Sequence, residues 1–257
     1  MGALITLVGV SLTNRYHAKQ HAAQLTHEAT ENERSRLFAL RNNLYLDASG
    51  EIVLTQQHLM SLSDLDIASE NASSNLDSFF VALNKAALAA SNETAIALTA
   101  YLDAFGKAFY RLMKLIPPIQ DFRTERDIQG ELYDKYSAEV ARLLAAVRHF
   151  NETGQTDPTI WRSLNTSFDH AQENAKNAAD ARSTAWSQLN ALTLEYKRKA
   201  LVEVADLDNL ILDAMVSIRS ELGISTDVKL HKAMMEQRIA VEKKAFQEFT
   251  TEIQDDA

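Results

Sequence analysis

Histidines at helical spacing, close to a carboxylate, are the side chains of this chain best suited to chemistry. His17 and His21 are four residues apart, and His27 is followed directly by Glu28. Two histidines at that spacing share one face of a helix and can bind a metal ion. No Glu follows His17 in the manner of an HExxH motif, and a polar helix surface explains the same residues. We therefore expect no metal site here.

Other catalytic and cofactor-binding motifs are not found in the sequence. A di-iron bundle needs Glu three residues before His on two helices, and no His of this chain has Glu at that position. Gly is too sparse for a phosphate-binding loop, and the absence of Cys excludes thiolate chemistry. The remaining histidines are isolated and expected at surfaces or helix edges: His58, His149, His170 and His231. The sequence predicts no enzyme, no catalytic or cofactor-binding residue and no small-molecule substrate.

The composition and the spacing of apolar residues indicate an all-α protein. The 257 residues include only 7 Gly and 3 Pro, and strong helix formers dominate. One clear apolar stripe, with residues alternately four and three apart, consists of Leu98, Leu102, Phe105, Phe109, Leu112 and Ile116. Tyr101 and Ala108 widen it, which favours a multi-helix bundle. We predict an elongated antiparallel helical bundle or coiled coil of long helices, with an N-terminal membrane-anchor helix.

Breaking and capping residues predict where the helices end. Pro117-Pro118 should stop the helix that carries this stripe. Residues 151–154, followed by Asp157-Pro158, should end the next helix and start another. Ser91 should cap the start of a helix, and Ser74 with Asp77 resembles a capping box.

The stretch from Pro158 to about Leu222 contains no helix breaker. It is therefore either one long helix or a helix that breaks without a visible signal. Gly223 should end it, and Ser225-Thr226-Asp227 should cap a last helix that reaches about Gln254.

The N-terminal residues 2–13 are uncharged and mostly apolar, and a cationic, helix-forming stretch begins at Arg15. As a helix this segment measures only ~20 Å, against ~30 Å of hydrocarbon. Charges follow the apolar run and no cleavage site is apparent, which disfavours a signal peptide. The alternatives are a true span, either tilted or completed by residues upstream of Met1, and a buried first helix of a soluble bundle. We favour a single pass of the inner membrane, in contact with membrane lipid, with most of the chain cytoplasmic.

The pattern predicts four consecutive segments along the chain. They are a membrane anchor at 1–14, a juxtamembrane stalk helix at 15–63, a helical bundle at 64–152, and a long helix plus a C-terminal helix at 153–257. Leu37, Leu40, Leu44, Ala48 and Ile52 keep helical phase through Gly50, so we place Gly50 inside the stalk helix. A turn at residues 47–50 is the alternative.

Two short motifs follow the apolar start and the charged helix: Arg41-Asn42-Asn43-Leu44-Tyr45 and Leu88-Ala89-Ala90-Ser91-Asn92-Glu93-Thr94. This arrangement resembles a broad group of bacterial proteins that have one N-terminal transmembrane segment and a cytoplasmic helical domain. The resemblance covers about residues 1–116. The resemblance implies a membrane-anchored location and a helical fold. It implies no activity and no functional residue, because none is assigned to that group.

Two Ala-rich stretches, at residues 86–100 and 171–185, place small side chains on helix stripes. Small side chains allow helices to approach closely. We expect a close contact at 171–185, with the helix before Ser91 as its partner; exposed alanines that only favour helix are the alternative. Arg182 lies within this stripe, and we expect its side chain to reach water rather than to form a buried ion pair.

The net charge of −9 argues against a nucleic-acid partner. Long helix faces without catalytic residues predict a membrane-tethered, non-enzymatic helical scaffold or interaction protein. It would self-associate or bind a protein partner through these faces, and the narrow stripe of the long helix favours self-association. The alternative is a membrane-active helical effector of the pore-forming type that also has a soluble form.

Overall fold

A computed structural model describes the backbone of residues 2–66, 72–73 and 76–255. The surroundings of side chains are described for residues 19–21, 23–66, 72–73, 76–241, 243–248 and 251. Of the residues described, 91% are helical and none is in a strand, which confirms the all-α helical bundle. None of the helices in this part of the chain is both long and apolar enough to cross a membrane. The fold therefore does not support the predicted anchor helix at residues 2–13, whose side chains lie outside the described set.

Six α-helices and one 3-10 turn make up the described chain. They are α1 (Gly2–Ser61), the 3-10 turn (Leu62–Asp64), α2 (Leu76–Ala89), α3 (Asn92–Met113), α4 (Ile116–Glu152), α5 (Pro158–Glu221) and α6 (Val228–Asp255). Helix α1 runs through Gly50, as its apolar phase predicts, so the alternative turn at 47–50 is not formed. Helix α5 is a single helix of 64 residues, in agreement with the lack of a breaker.

Helices α4 and α5 are followed by glycines in the left-handed conformation, as the sequence predicts. The φ angles are 67° at Gly154 and 69° at Gly223. After α5, the Ile224 amide donates to the Arg219 carbonyl at 2.8 Å, and the Gly223 amide donates to the Ser220 carbonyl at 3.0 Å. This Schellman motif satisfies carbonyls at the helix end, and it needs a φ that Gly adopts without strain.

Side-chain caps begin three of the helices where they were predicted. Asp157 Oδ1 accepts from the Thr159 amide at 2.8 Å, and Asp227 Oδ1 accepts from the Leu230 amide at 3.0 Å. Ser91 Oγ receives the Thr94 amide at 3.5 Å. The predicted cap at Ser74 lies outside the described residues.

The double proline acts differently from the prediction. Helix α3 ends at Met113, before Pro117 and Pro118, and these two residues lie in the first turn of α4. An amide at the start of a helix has no carbonyl partner within that helix, so Pro loses no hydrogen bond there. The pair therefore begins a helix rather than ending the one before it.

The chain folds as two compact units, each built from three stretches. One consists of Met1–Leu54, Leu76–Leu102 and Leu210–Lys232, and the other of Thr55–Asn75, Asp103–Asn209 and Ala233–Ala257. The division into consecutive segments at residues 14, 63 and 152 stays a prediction.

The core of the first unit comes from α1, α2, α3 and the end of α5. Its buried side chains are Tyr45, Ala48, Ile52, Leu76, Phe79, Leu83, Ala86, Leu98, Tyr101, Leu212 and Ala214. The rings of Phe79 and Tyr101 meet edge to face, with their centroids 6.2 Å apart. Aromatic pairs in this geometry add to the stabilisation from burial alone.

The core of the second unit includes the later part of the predicted stripe of α3, where Phe105, Ala108 and Leu112 are buried. Tyr196 of α5 is also fully buried, and its hydroxyl donates to the Leu59 carbonyl at 2.6 Å. Burial raises the pKa of Tyr196 well above its ordinary value, so the phenol stays protonated.

The Ala stripe of α5 is packed rather than exposed. Ala171, Ala178 and Ala185 are buried, whereas Arg182 between them is exposed, as expected. The neighbouring helix is α4, whose Arg126 guanidinium lies 5.3 Å from the centre of the Trp186 ring. That the helix before Ser91 makes a close contact here stays a prediction; small residues permit a close approach without specifying which helix makes it.

Candidate functional site

The histidines that suggested chemistry show no ligand geometry. His21 and His27 are exposed on α1, and Glu28 accepts a hydrogen bond from Gln24 Nε2 at 3.0 Å. The side chain of His17 lies outside the described residues. Within the described part of the chain, no group of three or more His, Asp or Glu side chains is placed to hold a metal ion.

The four isolated histidines differ in their surroundings. His149 and His170 are exposed, as expected. His58 is buried, and its Nε2 lies 2.7 Å from the Ala72 carbonyl, so the expectation of a surface position was wrong for this residue. A polar side chain tolerates burial when it is hydrogen-bonded. His231 is partly buried, and its Nδ1 has no hydrogen-bond partner among the described residues.

The densest polar cluster of the first unit surrounds Glu221, the last residue of α5. Its Oε1 lies 2.8 Å from Nη1 of Arg41 and accepts the Ser91 amide at 2.9 Å. Its Oε2 accepts the Tyr45 hydroxyl at 2.8 Å. Arg41 also donates from Nε to the Ala89 carbonyl at 2.6 Å. We call these residues, Arg41, Tyr45, Ser91 and Glu221, the Glu221 clamp.

The clamp joins helix ends rather than reactive groups. The Ser91 amide is at the N-terminus of α3, where unpaired amides and the helix dipole favour a negative charge. The Ala89 carbonyl is at the C-terminus of α2, where the cationic Arg41 is favoured for the opposite reason. Both carboxylate oxygens of Glu221 are occupied. The clamp therefore fastens α1, α2, α3 and α5 together.

Protonation equilibria in the clamp follow from these contacts. Burial alone would raise the pKa of Glu221, but the hydrogen bonds from Tyr45, Thr94 and Ser91, together with the charge of Arg41, lower it below its ordinary value. Burial and the adjacent carboxylate raise the pKa of Tyr45 above its ordinary value. At neutral pH, Glu221 is therefore ionised and Tyr45 is neutral.

The clamp also brings together the two motifs that carried the bacterial resemblance. Arg41 and Tyr45 belong to the first motif, and Ala89 and Ser91 belong to the second. Glu221 itself was not found by sequence reasoning, because it is 176 positions from Tyr45 and follows no local motif. The available signal was indirect: an arginine and a tyrosine four apart on one helix face need polar partners when buried.

Directly N-terminal to the clamp, α1 enters a solvent-exposed stretch. Every described side chain from Lys19 to Leu40 is exposed, and we call residues 19–40 the exposed stretch. It includes four large apolar side chains that are 48–59% exposed, namely Leu25, Leu37, Phe38 and Leu40. This stretch is the candidate interaction surface of the first unit.

The charges of the exposed stretch are ordered along the helix. Three acidic residues, Glu28, Glu31 and Glu33, come before Arg34 and Arg36. Arg34 and Glu31 approach to 3.6 Å, with their side chains 80% and 54% exposed. An ion pair so exposed contributes little to stability, so these charges remain available to a partner.

The polar contacts of the second unit are structural links between helices. Asp208 of α5 is buried and accepts a hydrogen bond from Gln56 Nε2 at 2.9 Å and another from Arg238 of α6. Arg111 of α3 binds Glu203 of α5 through two hydrogen bonds of 2.6 and 2.5 Å.

An open groove of about 480 Å³ lies between α5 and α6 in the same unit. It is mainly apolar, lined in part by Leu194, Val202 and Phe246. Its carboxylate, Glu195, is paired with Lys199 at 2.7 Å. The groove therefore resembles a packing defect between helices more than an acid–base site.

No protein-family model, no characterised protein and no solved structure matches this chain. The resemblance to a bacterial group with an N-terminal span therefore stays a prediction. The function is therefore inferred from the surfaces and contacts of this chain alone.

Proposed function

We propose that this protein is a non-enzymatic helical scaffold that presents the exposed stretch of α1 to a protein partner. The observation that supports this proposal is that every described side chain between Lys19 and Leu40 is exposed. In a typical globular protein, a helix of this length buries one face against the rest of the chain. Here that face is left for another molecule.

Physical chemistry favours a partner for such a helix. Most helical stability in proteins comes from the packing of an apolar face, and isolated helices are marginal in water. Leu25 and Leu40 share one face of α1 and are 59% and 50% exposed. Burying them against a partner would remove apolar area from water, which is favourable by about 25 cal/mol per Å².

The Glu221 clamp holds the C-terminal end of the exposed stretch against the first unit. The exposed stretch continues without a break into the part of α1 that Glu221 holds through Arg41 and Tyr45. A helix that is already formed and oriented loses less conformational entropy on binding than a disordered segment does. The architecture thus suits a scaffold that displays one helix from a rigid base.

Membrane tethering is the second part of the proposal, and it depends on the apolar sequence of residues 2–13 alone. Deletion of residues 1–14 should release the protein from membranes after cell fractionation, because these residues would supply the lipid contact. If the deletion leaves membrane association unchanged, the proposal that these residues tether the protein to the membrane is wrong. A large soluble pool of the intact chain would instead favour the membrane-active effector.

Site-specific photo-cross-linking in cells tests the interaction surface. A photoreactive amino acid in place of Leu40 should yield a discrete protein adduct, because this side chain would lie in the interface. The matched control replaces Ile96 of α3, which is also highly exposed, and should yield much less. Equal or absent adducts at the two positions would contradict the proposal.

A further inference from the structure

We infer that the partner of the exposed stretch is a second copy of this chain, bound through an antiparallel pairing of the two α1 helices. This inference rests on the proposed function and names its partner. It combines the order of charges with the spacing of apolar and small residues on the helix.

The charge order selects the direction of pairing. Acidic residues occupy positions 28–33 and arginines occupy positions 34 and 36. A parallel pair would place like charges side by side, which is unfavourable. An antiparallel pair places the acidic part of one copy against the arginines of the other, twice, because a two-fold axis repeats every contact.

One stripe of the helix fits this direction with a definite register. Leu25, Ala29, Glu33, Arg36 and Leu40 are successively 4, 4, 3 and 4 residues apart, so they share a face. A two-fold axis between Arg34 and Ser35 places Glu33 of one copy opposite Arg36 of the other. The same axis places Leu40 opposite Ala29, so a large side chain meets a small one, as close packing requires.

The first test measures association of the full-length chain by sedimentation across a wide range of protein concentration. The wild type should dimerise reversibly. The variants Glu33→Arg and Arg36→Glu should each dimerise at least about tenfold more weakly, because each juxtaposes like charges twice. An equimolar mixture of the two variants should recover dimerisation, since both opposite-charge contacts then form between unlike copies.

Glu31→Arg is the matched control, because it makes the same charge change within the exposed stretch but off the stripe. It should leave dimerisation within about twofold of the wild type, as isolated surface charges contribute little. A wild-type chain that stays monomeric, or a mixture no better than its components, would overturn the inference.

Direction is tested by cross-linking, since the chain has no native Cys. Ala29→Cys mixed with Leu40→Cys should form an intermolecular disulfide between unlike copies. Each variant alone should form little, because like positions in this register are ~16 Å apart along the axis. Homotypic disulfides in either variant alone would show a parallel pair and overturn the inference.

The outcomes also separate this inference from the proposed function. A monomeric chain that still cross-links from position 40 to a different protein would retain the scaffold and exclude self-pairing. Sedimentation with vesicles containing phosphatidylglycerol tests a lipid occupant. Vesicle binding lost in Arg36→Glu but retained in Glu33→Arg would identify an anionic lipid surface as the occupant, and would likewise overturn self-pairing.

Discussion

Helix α1 contains two consecutive stretches that differ in surroundings rather than in secondary structure. Every described side chain of residues 19–40 is exposed, whereas residues 41–61 contribute buried side chains such as Tyr45, Ala48 and Leu59. Both stretches are α-helical without a break. The change begins at Arg41, the first residue of the clamp.

This difference shows that helix formation and burial are separate properties of a sequence. Leu37 and Leu40 keep the same helical phase as Leu44 and Ala48, yet only Ala48 among these four is fully buried. A periodic stripe specifies which face is apolar. Whether another helix covers that face depends on residues distant in sequence.

Truncation of one leucine in each stretch should give the largest contrast. Leu59→Ala removes a side chain with no exposed surface and should lower the free energy of unfolding by about 2–5 kcal/mol. Leu40→Ala, at a half-exposed position, should change it by at most about 0.5 kcal/mol. Denaturant unfolding at low protein concentration measures both, and similar losses would contradict the distinction between the two stretches.

Removal of the clamp charge should have the next largest effect. Glu221→Gln takes the charged partner from Arg41 and weakens the hydrogen bonds to Glu221, so it should cost about 1–3 kcal/mol in unfolding free energy. The matched change Glu139→Gln breaks a surface pair with Arg142, at 2.6 Å, and should cost clearly less than Glu221→Gln, because solvent screens an exposed pair. Equal costs would show that the clamp is only a surface contact.

The pH dependence of stability should report the same carboxylate. Because the folded pKa of Glu221 lies below its ordinary value of 4.5, ionised Glu221 stabilises the fold at neutral pH. This contribution should disappear as the pH falls from about 4.5 through the lower folded value. Glu221→Gln should therefore lose less stability than the wild type over that interval in pH-dependent denaturation. If the unfolding free energies of the two proteins fall equally with pH, the lowered pKa of Glu221 is contradicted.

Two glycine substitutions should give the smallest effects, and these should be opposite in sign. Gly50 lies within α1, and a Cβ added there meets no atom within 4 Å, so Gly50→Ala should stabilise the fold by about 0.5–1 kcal/mol. Gly223 has φ of 69°, so Gly223→Ala should destabilise it by about 1–2 kcal/mol. Thermal unfolding would detect both; a destabilising Gly50→Ala would show that the face of α1 at Gly50 is already occupied.

Local features of the fold could be predicted from the sequence because their causes are local. Asp157, Ser91 and Gly223 act on backbone groups within a few positions, so their effect depends little on the rest of the chain. The continuity of α1 through Gly50 follows from the same kind of argument. A single Gly costs only about 1 kcal/mol in a helix, which the neighbouring residues can offset.

The candidate site could not be predicted in this way, because its contacts are long-range. Nothing near Glu221 in sequence indicates that Tyr45 and Arg41 bind it, and the exposure of Leu40 depends on how helices distant in sequence pack. The double proline shows a related limit. Pro117 is compatible with the end of one helix or the start of the next, and only the observed end of α3 at Met113 distinguishes them.

The unbroken course of α1 from Gly2 to Arg41 makes this part of the chain a spacer of defined length and angle. At 1.5 Å and 100° per residue, it displaces its first residue from the clamp by about 60 Å. Insertion of one residue would rotate everything N-terminal to it by about 100°, whereas insertion of seven would restore the angle to within about 20° and add about 10 Å. A molecule bound at the far end of α1 would therefore lie at a set distance from the clamp and on a set side of the helix.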